Sequence, residues 1–153
     1  MQLNTSRFGN LKIDEKLILK IHGGILGFPQ QERYLILEHD SSEGSPFKWL
    51  QCVDEPALAF VVIDPRLLAD QYQFELDAET EKLLGTADAN EIIPMVIVKI
   101  PRDRPEKMTA NLRGPIIVRE STREGCQVVL TNEMLPFDHQ IFPDAAQTAA
   151  AAR

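Results

Sequence analysis

Apolar and polar positions alternate in short runs along most of this chain, and the longest apolar run stands near its middle. Ala57 to Ile63 is an unbroken apolar stretch rich in Val, Ile and Phe. A strand of that kind needs cover on both faces, so it is expected to be central. It lies within Pro46–Pro65, where the acidic, proline-bearing break Val53-Asp54-Glu55-Pro56 separates it from a segment holding the only tryptophan, Trp49. Two strand-length segments joined this way predict a β-hairpin.

The other segments predict cover for that hairpin. Gln2–Ser6 and Leu11–Asp14 read as strands around a Gly9-Asn10 turn, Lys16–Ile21 as a further strand, and His22–Pro29 as a glycine-rich loop. Tyr34–Glu38 is the next strand, and 40–45 is a polar loop. Asp64-Pro65 opens a short helical turn, and Gln73–Leu76 alternates like a half-buried strand. Asp77 is a suitable N-cap for a helix over Ala78–Leu84, with Gly85 as its stop. Thr86–Glu91 adds a turn. Ile92–Ile100 is a β-branched strand in which Pro94, lacking a donor, calls for an edge or a bulge. A charged loop, Pro101–Lys107, precedes a strand over Met108–Arg119 with a Gly-Pro interruption, and Cys126–Leu130 returns as its hairpin partner.

About nine strands against one short helix, spaced as in sandwiches and barrels, predict a mostly β fold. The expected architecture is a compact, barrel-like single domain over 1–142 with one or two short peripheral helices. The alanine-rich segment 143–153 is expected to be a disordered tail.

Charge sharpens this picture. Of a formal net charge of −7, the span Asp70–Glu91 carries −6 and the rest of the chain −1. Such a span repels nucleic acid and attracts basic partners. The N-terminus has no secretory pattern and no apolar stretch approaches membrane-helix length, which points to a cytoplasmic protein without membrane contact.

Candidate chemistry is sparse. Cys52 and Cys126 have neither metal-ligand nor redox spacing and read as small buried hydrophobes. His22, His39 and His139 share no ligand spacing with carboxylates. His22-Gly23-Gly24 suggests an oxyanion loop only if a Gly-x-Ser-x-Gly elbow accompanies it, and the chain has none. The expectation is a protein that is not an enzyme and has no cofactor or metal.

Several segments, in order, resemble the FliW family of flagellar assembly factors. They are GILGFPQQERYLIL at 24–37, PALAFVVIDP at 56–65, YQFEL at 72–76, KMTANLRGPIIV at 107–118 and GCQVVL at 125–130. The resemblance spans residues 2 to 142. It departs from the family pattern at Arg113-Gly114 and in the C-terminal segment NEMLPFDHQIF, 132–142. It implies a small β-barrel-like protein with two partners, flagellin and the basic RNA-binding translational regulator CsrA. Binding CsrA relieves repression of flagellin mRNA, and newly made flagellin sequesters the factor. The alternative is a chaperone or interaction protein acting on flagellin without a role in translation. Candidate contact residues are Asp64, Pro65, Asp70, Phe74, Glu75, Asp77, Glu79, Glu81 and Asn111. Phe47, Trp49, Phe60 and Phe74 also suit a core.

Overall fold

The central hairpin forms as expected in the computed structural model, which describes residues 1–38, 45–69 and 72–142. Strands β5 (Phe47–Cys52) and β6 (Ala59–Ile63) pair antiparallel, with Trp49 opposite Val61 and Leu50 opposite Phe60. Before them come β1 (Gln2–Thr5), β2 (Gly9–Lys12), β3 (Leu19–His22) and β4 (Arg33–Glu38). After them come helix α1 (Ala78–Leu84) and the strands β7 (Ile92–Lys99), β8 (Thr109–Ala110), β9 (Ile116–Arg119), β10 (Glu124–Gln127) and β11 (His139–Gln140).

β7 closes the sheet by serving two barrel strands in turn, and its end also pairs with β8. Ile92–Met95 pairs with β9 and Val96–Val98 with β6. The circuit β3-β4-β5-β6-β7-β9-β10 returns to β3, giving a closed barrel of seven strands. A barrel leaves no unpaired edge along its circuit. Its β3–β10 seam is parallel; its other pairs are antiparallel. Pro94 sits where β7 has only β9 beside it, so its missing donor is tolerated inside a central strand.

Both faces of β6 are covered. Val62 packs with Leu19, Ile21, Tyr34, Leu50, Met95 and Ile116, whereas Val61 and Ile63 pack on the other face with Tyr72, Val96, Val98 and Leu112. Phe47, Trp49 and Phe74 border this second cluster, and Phe60 borders the first, all partly buried. The hairpin β1–β2 covers the barrel through Leu3, which meets Leu35 and Val53. Cys52 and Cys126 are free and buried, as expected, and burial pushes both thiols up from their ordinary pKa.

Some expectations are corrected. Gly9 and Asn10 lie in β2, and the turn falls at residues 6–8. Gln73–Leu76 alternates in burial, yet it belongs to no sheet; alternation reports which face is covered, not whether a neighbour supplies hydrogen bonds. β10 ends at Gln127 rather than Leu130, and 108–119 splits into β8 and β9. The segment after Leu130 folds back, pairing β11 with β8 and burying part of Leu135 and Ile141. The polar loop at 40–44 and the tail at 143–153 fall outside the described residues.

Candidate partner-binding surface

The acidic span is built as an arm and a helix laid against the barrel. Asp64 caps the 3-10 turn Pro65–Leu67 by accepting from the Arg66 amide at 2.9 Å, and it also holds the Arg66 guanidinium at 2.6 Å. Burial pushes the Asp64 carboxyl up, but the bonds from Arg66 outweigh it and hold the group below its ordinary pKa. Pro65 is buried. Asp64 and Pro65 therefore serve the fold, and Asp70 lies outside the described residues.

The arm follows. Tyr72 fixes its start by donating its hydroxyl to the Leu112 carbonyl at 2.6 Å. Phe74 and Leu76 turn inward, toward Leu84, Ile92 and Cys126, while Gln73 and Glu75 face solvent. Asp77 accepts from the Thr80 amide at 2.7 Å and caps α1, and Gly85 ends the helix at φ 75°. Bonds from Thr80 hold the Asp77 carboxyl below its ordinary pKa.

Arg119 secures the far end. Its Nη1 donates to the carbonyls of Leu84 and Gly85 at 3.1 and 3.3 Å, and its Nη2 lies 3.5 Å from Glu91. A cation over the last helical carbonyls favours the negative helix end. Asp88 caps the 3-10 turn Ala89–Glu91, whose Glu91 also accepts from Thr86. The acids thus divide into two groups. Asp64, Asp77, Asp88 and Glu91 are occupied within the chain. Glu75, Glu79 and Glu81 have no ion pair among the described residues, and Glu75 and Glu79 are exposed.

A groove of about 490 Å³ runs beside the arm. Gln73–Asp77 and Thr80 form one wall, and Val128–Asn132 with Leu135 form the other. A second groove, at one end of the barrel, is lined by Ile25, Leu26, Phe60, Ile97, Asn111 and Phe137 among others. Asn111 is committed there: its Oδ1 accepts from the amides of Arg113 and Gly114 at 3.1 and 3.0 Å, a side-chain-closed turn. Of the candidate residues, the structure brings Phe74, Glu75 and Asp77 to one groove, sets Glu79 and Glu81 on the adjoining helix, and leaves Asn111 at the other.

Sequence reasoning missed the far wall and its support. Arg113 donates from Nε to the Leu135 carbonyl and from Nη2 to the Glu133 carbonyl, both at 2.8 Å, and its guanidinium lies 4.6 Å from the Phe137 ring centroid. The two departures from the family pattern, at 113–114 and 132–142, therefore touch each other. No group of three or more potential metal-ligating side chains occurs among the described residues. Among them, too, no helix is long and apolar enough to cross a membrane.

Comparison with known proteins places this architecture. The family described as FliW protein matches residues 2–141. The chain belongs to the FliW family of flagellar assembly factors. A flagellar assembly factor FliW of Caldanaerobacter subterraneus subsp. tengcongensis is 41% identical over 144 residues, covering 94% of this chain and 95% of its own. The FliW of Syntrophus aciditrophicus is 41% identical over 141 residues, covering 92% and 87%. A crystal structure of the flagellar assembly factor FliW superposes with a TM-score of 0.85 at 32% identity, covering 95% of this chain and 99% of the other. The FliW fold thus extends across the barrel, the arm and the returning C-terminal segment.

Proposed function

We propose that this flagellar assembly factor is a non-enzymatic, cytoplasmic partner switch. It binds the basic translational regulator CsrA, which relieves repression of flagellin mRNA, and newly made flagellin withdraws it. The observation that carries the reading is the set of acids on one arm and its helix, Glu75, Glu79 and Glu81, that have no ion pair among the described residues and stand beside a groove. A negative surface next to a concave one suits a basic protein and disfavours direct contact with nucleic acid.

Titration of the purified chain into CsrA and into flagellin from the same organism tests the reading. Both should bind, and flagellin should displace CsrA. Binding of flagellin alone, with a flagellin-mRNA reporter indifferent to deletion of the chain, would replace the switch with a flagellin-specific chaperone. Binding to neither would overturn the proposal.

A further inference from the structure

The hairpin β1–β2 is joined to the barrel mainly by side chains. Its strands pair only with each other and form a sheet of their own. Its turn is closed internally: the Thr5 hydroxyl donates to the Gly9 carbonyl at 2.9 Å and accepts from the Phe8 amide at 2.8 Å. Among the described residues, one main-chain bond links residues 1–13 to the rest, from the Ser6 amide to the Pro56 carbonyl at 3.0 Å. Gln51 Nε2 donates to that carbonyl too, so it keeps a donor if Ser6 leaves. The chain then leaves the hairpin through a 3-10 turn, Glu15–Leu17, that buries no residue. A unit closed on itself in this way can lift from its neighbour in one piece.

What the hairpin covers is the outer face of β4–β5. Tyr34, Leu50 and Cys52 fill the barrel interior, so the alternate residues Leu35, Leu37, Trp49 and Gln51 point outward. Leu3, Leu35 and Val53 form a buried cluster bordered by Leu11, Ile13 and Leu37. The Phe8 ring meets Trp49 edge-on, centroids 5.6 Å apart, and the Arg7 guanidinium lies 4.4 Å from the Trp49 ring centroid. Trp49 also borders the cluster of Val61, Ile63 and Tyr72, the last being the residue from which the acidic arm starts. Hairpin and arm are thus two covers of one face, sharing one ring. We infer that β1–β2 is a clasp that opens as a unit over a folded barrel, and that Trp49 couples its opening to the order of the acidic arm. The opening stands on the hairpin's own contacts. Its regulatory meaning rests on reading the arm as the partner-facing surface: a partner that grips the arm then holds the clasp shut, and a shut clasp strengthens that grip.

Amide hydrogen exchange of the full chain, in water and in low denaturant, tests both parts. The protected amides of β1 and β2 should share one opening, with a shallower denaturant slope than β5 and β6 and exchange at least about 100-fold faster. A common slope and rate for hairpin and barrel would overturn the clasp. Y72F loosens the arm from Leu112 and lies outside the hairpin. It should speed hairpin exchange at least about threefold, whereas a hairpin that kept its wild-type rate would overturn the coupling. F8A removes the ring contact with Trp49 and should itself speed the hairpin at least about tenfold, and the further effect of Y72F should then shrink. An undiminished Y72F effect in F8A would remove Trp49 as the link. Saturating CsrA should slow hairpin exchange at least about threefold in the wild-type chain and less in F8A. CsrA that binds without slowing it would overturn the regulatory link. CsrA that does not bind would fail the partner switch alone, because the Y72F comparison decides the clasp without it.

Discussion

The hydroxyl of Tyr72 donates to the main-chain carbonyl of Leu112, forty residues on, and both residues are buried. This bond ties the start of the acidic arm to the turn between β8 and β9. Y72F should cost about 1–2 kcal/mol in denaturant unfolding, because it leaves the carbonyl without its donor. Burial also raises the Tyr72 pKa to about 12 from 10.0. The folded state then holds the proton more tightly than the unfolded one. The resulting stability is complete below pH 10 and is lost as pH rises toward 12. Burial raises Tyr34 as well, so Y72F should shrink the alkaline loss without abolishing it.

Arg113 holds two carbonyls and an aromatic ring of the returning segment at once. Lysine cannot present that fork. R113K should therefore loosen residues 133–137 while the barrel strands stay protected. Hydrogen exchange at Leu112, which bonds the Pro136 carbonyl, and at Leu135 should accelerate at least about tenfold, equivalent to about 1.4 kcal/mol. Unchanged exchange at both amides would show that the segment is held by its apolar contacts alone.

Reversing Glu75 and Glu79 to Lys should separate charge from fold. Both are exposed and have no ion pair among the described residues; reversing Glu75 should change stability by less than about 0.5 kcal/mol, and reversing Glu79, in the first turn of α1, should cost about 1 kcal/mol through the helix dipole. CsrA affinity should fall at low salt, and the loss should narrow as salt rises, whereas flagellin affinity should change little. A parallel fall for both proteins would show that the acidic arm does not distinguish between them. Asp77 is a poor choice for this experiment, since its side chain caps α1. Replacing it would confound contact with helix loss.

Gly125 is a test of the close β9–β10 pairing. A Cβ there would stand 2.2 Å from the Ile117 carbonyl oxygen and 2.9 Å from Val118 Cγ2. The first neighbour is backbone in the adjacent strand and cannot swing aside. G125A should destabilise by about 2–4 kcal/mol, read as an early denaturant midpoint with an unchanged slope.

The features legible beforehand are those written in neighbouring residues. Asp77 and Gly85 bracket α1 because capping is a local matter of side-chain reach and left-handed backbone. The Pro46–Pro65 hairpin was legible because both its arms and its turn are contiguous. The arm was legible only in part: Phe74 and Leu76 alternate with Gln73 and Glu75, which reports burial but not the absence of a strand neighbour. Arg113 and Arg119 were illegible as anchors because the carbonyls they hold come from segments 20 to 35 residues away. The roles of Asp64 and Asn111 within the fold rest likewise on partners that spacing alone does not name. Asp64 and Asn111 both close turns, and the groove's far wall is formed by residues that carry no charge pattern.

The parallel seam between β3 and β10 has a consequence for how the chain is made. His22 and Glu124, which meet across it at 2.7 Å, are 102 residues apart. A chain emerging from the ribosome builds β3 to β7 as a meander long before β10 exists. Until then both outer strands of that sheet offer bare edges to any neighbour. Barrel closure is accordingly a late, long-range event and should limit the folding rate. Truncations ending before Glu124 should leave an adhesive open sheet, so the hazard to the cell lies in chains that stop too soon.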